Sequence, residues 1–225
     1  MSKELQQEEK NHRIRLPIYS LGEELWNAIS HGIGTALSIA ALILCVVKSA
    51  HTGSALSVVC SALYGSSLIL LYLVSTLYHA LGRNGAKRVF RVLDHCTIFV
   101  MILGTYLPVL LLAIGGAVGW IFFGIVAAAA ILGITLNAID VERFEKGSLY
   151  CYIAMGWIIV LAFKPLYDAV GLHAILWLIA GGVVYTVGAI LYHIGAKEKY
   201  FHSVWHFFVL GGSICHFFAI YLYVI

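Results

Sequence analysis

The chain has 225 residues, of which 61% are hydrophobic and 11% charged, with a formal net charge of +3. Its charges fall almost wholly in the N-terminal segment and in short gaps between long uncharged runs. That excludes an ordinary soluble globular domain and fits an all-α, polytopic membrane protein.

The first 22 residues are polar and lack the short apolar core and small-residue cleavage site of a signal peptide, so the first hydrophobic span is expected to be an uncleaved anchor. Residues 11–21 mix His12, Arg13 and Arg15 with Ile14, Leu16 and Ile18. Such a mixture is expected to rest on an anionic inner leaflet rather than to bind nucleic acid.

A helix needs about 20 apolar residues to cross a bilayer. Seven stretches are read as such spans, roughly at residues 24–47, 54–80, 89–113, 116–139, 148–163, 169–193 and 202–225. The chain therefore divides into an interfacial segment, 1–22, and a seven-helix transmembrane domain, 23–225. Lys3, Lys10, Arg13 and Arg15 precede the first span; Arg83, Lys87, Arg88 and Arg91 lie between the second and third. Arg143 and Lys146 join the fourth to the fifth, and Lys197 and Lys199 join the sixth to the seventh. Only Lys48 and Lys164 lie on the other side, so the positive-inside rule puts the N-terminus in the cytoplasm and the C-terminus outside.

Taken in chain order, the first span carries Glu23, Asn27 and His31 at four-residue steps, followed by Gly34. This stripe enters from the cytoplasmic side and is suited to lining a site or supplying its supporting hydrogen bonds. The second span ends with Ser75 and, one turn on, His79, roughly 6 Å inside the helix end marked by Arg83. The third begins with Asp94, about 5 Å beyond Arg91, and His95, and at Pro108 should loosen or kink. Trp26, Trp120 and Trp205 lie near span ends, as interfacial anchors do. Cys45, Cys60, Cys96, Cys151 and Cys215 all fall within spans with no C-x-x-C pair and read as packing residues. In the seventh span His202 and His206 stand one above the other, His206 about 10 Å past Lys199. His193 joins His95 as a reserve ligand, whereas His216 and His173 lie outside this layer.

Ionisable side chains within a membrane are costly and usually functional. His79, His202 and His206 at matched depth suit a three-histidine metal site with a fourth position open to water. Imidazole with carboxylate fits zinc best, with iron or another divalent ion as alternatives, and Asp94 is placed to hold a water or accept its proton. Singly, each residue has a plainer reading. His79 and Asp94 also fit snorkelling or pairing with Arg83 or Arg91, His202 fits a solvated loop, and Ser75 fits a bond to its own helix backbone.

The segments at residues 24–34 (ELWNAISHGIG), 75–79 (STLYH), 93–108 (LDHCTIFVMILGTYLP) and 202–216 (HSVWHFFVLGGSICH) resemble the hemolysin III family, the bacterial branch of the progestin and adipoQ receptors. The resemblance covers nearly the whole chain and departs at Cys96, where serine is expected. It implies a seven-helix protein of the bacterial plasma membrane, zinc on His79, His202 and His206, a water held by Asp94, and Ser75 beside the site. It further suggests a zinc-dependent membrane hydrolase cleaving a lipid-like amide or ester through the zinc-bound water, with Asp94 and Ser75 as the acting side chains and membrane lipids as partners. Two other readings stay open: a receptor or membrane-state sensor with structural zinc, and a pore-forming cytolytic protein.

Overall fold

The computed structural model describes residues 14–195 and 198–225. Among the described residues all regular structure is helical. The helices are α1 (Leu21–His51), α2 (Ala55–Ala80), α3 (Gly85–Leu107), α4 (Gly116–Trp157), α5 (Phe163–Ile194) and α6 (Phe201–Tyr223). A π-helical turn, Pro108–Ile114, extends α3, and a 3₁₀ turn, Ile158–Ala162, joins α4 to α5. Among the described residues five continuous helical runs are long and apolar enough to cross a membrane, the longest being Gly116–Ile194.

The polarity of α1 is turned inside out relative to a soluble helix. Asn27, Ser30, His31, Gly34 and Ser38 face the interior, while Leu25, Ile29, Ile33 and Leu37 face outward. An apolar exterior over a polar seam belongs to a helix solvated by lipid. Ser20 caps α1 in a reciprocal box: its hydroxyl accepts from the Glu23 amide, and Glu23 Oε2 accepts from the Ser20 amide at 2.8 Å.

Helix breaks fall where backbone chemistry requires them. Pro108 cannot donate to the carbonyl one turn back, and the helix widens there from α to π geometry, as the position of the proline predicts. The expected connection around Arg143 and Lys146 is reduced to one residue. Asp140 has extended backbone angles (φ −159°, ψ 94°), and its Oδ1 accepts from the Arg143 amide at 3.0 Å, capping the helix that follows. A second break at Gly171 uses φ 74°, a region open to glycine, so the boundary expected near 164–168 lies a few residues later.

Close helix approach rests on small residues. A Cβ at Gly104 would lie 2.1 Å from the Ser67 hydroxyl, and one at Gly133 would lie 2.1 Å from the Phe99 ring. Two apolar clusters result, one around Tyr64, Leu68, Leu71 and Ile220, the other around Phe99, Leu110 and Val126. The five cysteines are free. Trp26 and Trp120 are exposed as anchors should be, whereas Trp205 packs against the first cluster and lines a cavity.

One end of the bundle gathers residues far apart in sequence. Arg83 donates to the carbonyls of Pro17 and Leu16, Arg88 to that of Ile14 and Arg91 to that of Arg15, strapping residues 14–17 across the helix ends. Of the segment expected at the membrane surface, Asn11, His12 and Arg13 lie outside the described residues. Lys3, Lys10 and Lys197, counted for orientation, also lie outside. Arg91 pairs with Glu142 at 3.2 Å, and Tyr192 donates to Glu145 at 3.0 Å, so the Asp140 break belongs to the same end. The turn into α6 is tied there too. Tyr200 has φ 65°, uncommon outside glycine, and its amide is held by Glu23 Oε1 at 2.9 Å.

Candidate metal centre

His202 lies in the first turn of α6, one helical turn before His206, so it is a helical residue rather than a loop residue. Their imidazoles point the same way. His79, in the last turn of α2, faces them across the bundle. The Nε2 atoms of His79 and His202 are 3.3 Å apart, and those of His202 and His206 are 3.1 Å apart. Ligand atoms of all three lie within 4.8 Å of one another. Two nitrogens bonded to one zinc at tetrahedral angles stand about 3.3 Å apart.

Tautomers decide what those contacts are. Glu24 Oε2 lies 2.7 Å from His79 Nδ1, and a carboxylate only accepts, so Nδ1 carries the hydrogen and Nε2 keeps a lone pair. His206 Nδ1 lies 3.2 Å from the Asn27 carbonyl oxygen, which fixes the same tautomer. His79 and His206 thus turn lone pairs toward His202 in a buried place. One ring nitrogen of His202 carries at most one hydrogen and cannot satisfy both. A cation can, and three imidazoles with outer carboxylate and carbonyl partners form a donor set fit for a divalent metal.

The support around the ligands is built mainly by α1. Glu24 Oε1 also accepts from Lys87 Nζ at 2.6 Å, and Lys87 is only 2% exposed. Asn27 Oδ1 accepts from Ser203 at 2.6 Å, beside the ligand helix. His31 stacks on His206 with centroids 3.6 Å apart and meets Tyr72 edge-on, and neither of its ring nitrogens has a hydrogen-bond partner. The Tyr19 ring lies 5.1 Å from that of His202 and 5.8 Å from that of His79, covering the centre. Burial raises the Tyr19 phenol well above its usual range, so it stays protonated.

The stripe Glu23, Asn27, His31 and Gly34 is buried as a unit against this centre. The carboxylate that reaches His79, however, is Glu24; Glu23 is engaged by Ser20 and Tyr200. The two acids are about 100° apart on a helix, and the sequence contains no mark to choose between them. Lys87 was equally hidden, since a lysine at a helix start is ordinarily solvated.

Asp94 and Ser75 both line an apolar cavity of about 400 Å³ together with His31, His202 and His206. A second, polar cavity of about 140 Å³ also touches Asp94 and His202, with Arg91, His95, Glu145 and Tyr192 in its wall. Asp94 and His202 are thus common to both cavities. Arg83 and Arg91, the candidate partners for His79 and Asp94, are engaged with the backbone strap and with Glu142 and Glu145. His95 shares the polar cavity, while its backbone carbonyl accepts from Tyr152 at 2.9 Å. His193 is exposed, away from the centre, and His173 stacks on Tyr223 at the opposite end.

The Haemolysin-III related family matches residues 19–217. The chain is 45% identical to Hemolysin-3 of Bacillus cereus over 203 residues, 90% of this chain and 92% of the relative. It is 40% identical to a Hemolysin-3 homolog of Bacillus subtilis over 206 residues, 92% and 96% of the two chains. Human Monocyte to macrophage differentiation factor is 27% identical over 172 residues, 72% and 68% of the two.

Proposed function

The chain belongs to the Haemolysin-III related family, and on that premise we propose that it is a seven-pass protein of the bacterial inner membrane whose zinc centre hydrolyses a lipid-like amide or ester. The breaks at Asp140 and Gly171 support seven crossings, because they divide residues 116–194 into three. The strapped, arginine-rich end is the cytoplasmic one by the positive-inside rule, which leaves the C-terminus outside.

One observation carries the chemical reading: of three imidazoles whose Nε2 atoms converge, those of His202 and His206 stand on the wall of an apolar cavity that Asp94 and Ser75 also line. His79, His202 and His206 hold the metal. Zinc in such a site supplies Lewis acidity, polarising a carbonyl and lowering the pKa of water to about 7. Asp94 orients a water and receives its proton, and Ser75 holds the Asp94 carboxylate in place. The apolar cavity takes a lipid chain and excludes bulk water, so a membrane lipid or lipid-like molecule is the partner.

Purified protein incubated with a panel of single-chain lipid amides and esters should release fatty acid. Asp94→Ala should abolish release while keeping bound zinc. No release from any member of the panel would defeat the proposal.

A second reading, a receptor or sensor with a structural metal, draws on the ties of α1 and α2 to α6 through Glu24, His79 and His206. In that case His79→Ala lowers metal content and thermal stability, and the wild type shows no turnover. The ionisable groups of the centre crowd one end rather than tracing a path, which disfavours a pore.

A further inference from the structure

The metal centre leaves one histidine of α6 unused. His216 lies ten residues beyond His206, about 15 Å along the helix axis, among apolar neighbours. Its Nε2 is 3.2 Å from the Leu178 carbonyl oxygen. A carbonyl only accepts, so Nε2 carries the hydrogen and Nδ1 keeps its lone pair. The Tyr185 ring stands across from it at 64°, centroids 5.4 Å apart.

The hydroxyl of Tyr185 belongs to a short relay. Tyr72 donates to Ser213 Oγ at 2.7 Å, and the hydroxyls of Ser213 and Tyr185 are 2.7 Å apart. With Ser213 giving its hydrogen to the Tyr185 oxygen, the hydrogen of Tyr185 faces the Met101 sulfur at 3.8 Å, a weak acceptor. Tyr185 and His216 both line the 400 Å³ apolar cavity that begins at the metal centre.

Glycines make the hollows in which both rings sit. A Cβ at Gly181 would lie 2.3 Å from His216 Cδ2, and one at Gly212 would lie 2.8 Å from the Tyr185 ring. A phenol and an imidazole seated this closely in a membrane interior, where polar groups are expensive, indicate a purpose beyond packing.

We propose that Tyr185 and His216 form a second binding station within the cavity, taking a hydroxyl group borne on the chain of a lipid whose polar end lies at the histidine cluster. Tyr185 donates to the oxygen of that hydroxyl, and the hydroxyl donates in turn to His216 Nδ1. A hydroxyl needs one donor and one acceptor, and the pair supplies both. The inference rests on the reading of the cavity as a receptor for an apolar chain, and it adds a chain specificity to that reading.

Competitive displacement of a fluorescent fatty acid from the full-length protein in nanodiscs provides the test, with stearate, 2-hydroxystearate and 12-hydroxystearate as probes. The 12-hydroxy acid should bind about fivefold tighter than stearate, the effect of one net hydrogen bond of about 1 kcal/mol. The 2-hydroxy acid, whose hydroxyl stays near the metal centre, should show no such gain. In Tyr185→Phe, which removes a hydroxyl without changing ring packing, the ratio of the two affinities should fall toward one, and in His216→Leu likewise. Stearate bound as tightly as the 12-hydroxy acid by the wild type overturns this inference alone. A preference that survives in both variants also overturns it. Binding of none of the acids overturns it together with the reading of the cavity.

Discussion

Two buried polar clusters stand at opposite ends of the same helices, and they differ in one respect. At the end remote from the metal centre, Ser49, Ser57 and Ser61 join α1 to α2. Ser49 Oγ is 2.6 Å from Ser61 Oγ and accepts from Ser57 at 3.0 Å. Every hydroxyl there finds its partner within the protein. At the other end the imidazoles of His79, His202 and His206 face one another with more lone pairs than hydrogens. Both clusters are buried and polar, so burial does not mark the site. Lone pairs that converge with too few hydrogens between them do, because native proteins rarely leave such a deficit uncompensated.

The largest expected effect breaks this contrast most directly. His206→Ala removes one of three protein ligands, and metal analysis of the purified protein should fall from about one zinc per chain to near none. His79→Ala should do the same. Zinc retained in both variants would reduce the histidine end to ordinary polar packing. Removal of the metal from the wild type by a chelator should then lower the melting temperature, since an ion binding only the folded state stabilises it. Metal at about a thousandfold over its Kd contributes about 4 kcal/mol, or about 10 °C for a chain of this size. The same chelator should leave the melting temperature of His206→Ala unchanged.

The next effect sharpens the contrast by testing support rather than ligation. Glu24→Gln keeps the shape at His79 Nδ1 but removes the carboxylate that fixes its tautomer. Loss of such an outer partner weakens metal binding by about 10- to 100-fold. A competitive titration against a zinc indicator measures this directly. An unchanged affinity would assign Glu24 to its ion pair with Lys87 alone.

The parts of this arrangement legible in the sequence are those set by local geometry. The four-residue spacing of His202 and His206, the shared depth of His79, and the widening at Pro108 all follow from helix dimensions and backbone chemistry. The buried stripe of α1 follows from them too, except that its phase missed Glu24 by one residue. Asp140 was hidden for a different reason: Arg143 and Lys146 look like a solvated loop until Asp140 is seen to cap the helix that contains them. The strap of residues 14–17 depends on arginines some 70 positions away. The cavity is harder still, because a void arises from how separated helices meet rather than from any run of residues. His216 shows the same limit, since its meaning depends on Tyr185 and on the hollow left by Gly181.

The smallest effect is expected at the serine end, where it tests whether that cluster is as self-sufficient as its geometry indicates. Ser61→Ala removes one hydroxyl from a helix interface but leaves Ser49 bonded to Ser57. The loss is that of one net hydrogen bond, about 1 kcal/mol, or about 2–4 °C in melting temperature. Zinc content should be unchanged, because no group at that end touches the ligands. A serine variant that lost metal would mean that the two ends are coupled through the length of α1 and α2. Stability and metal binding would then be one property of the bundle rather than two properties of separate clusters.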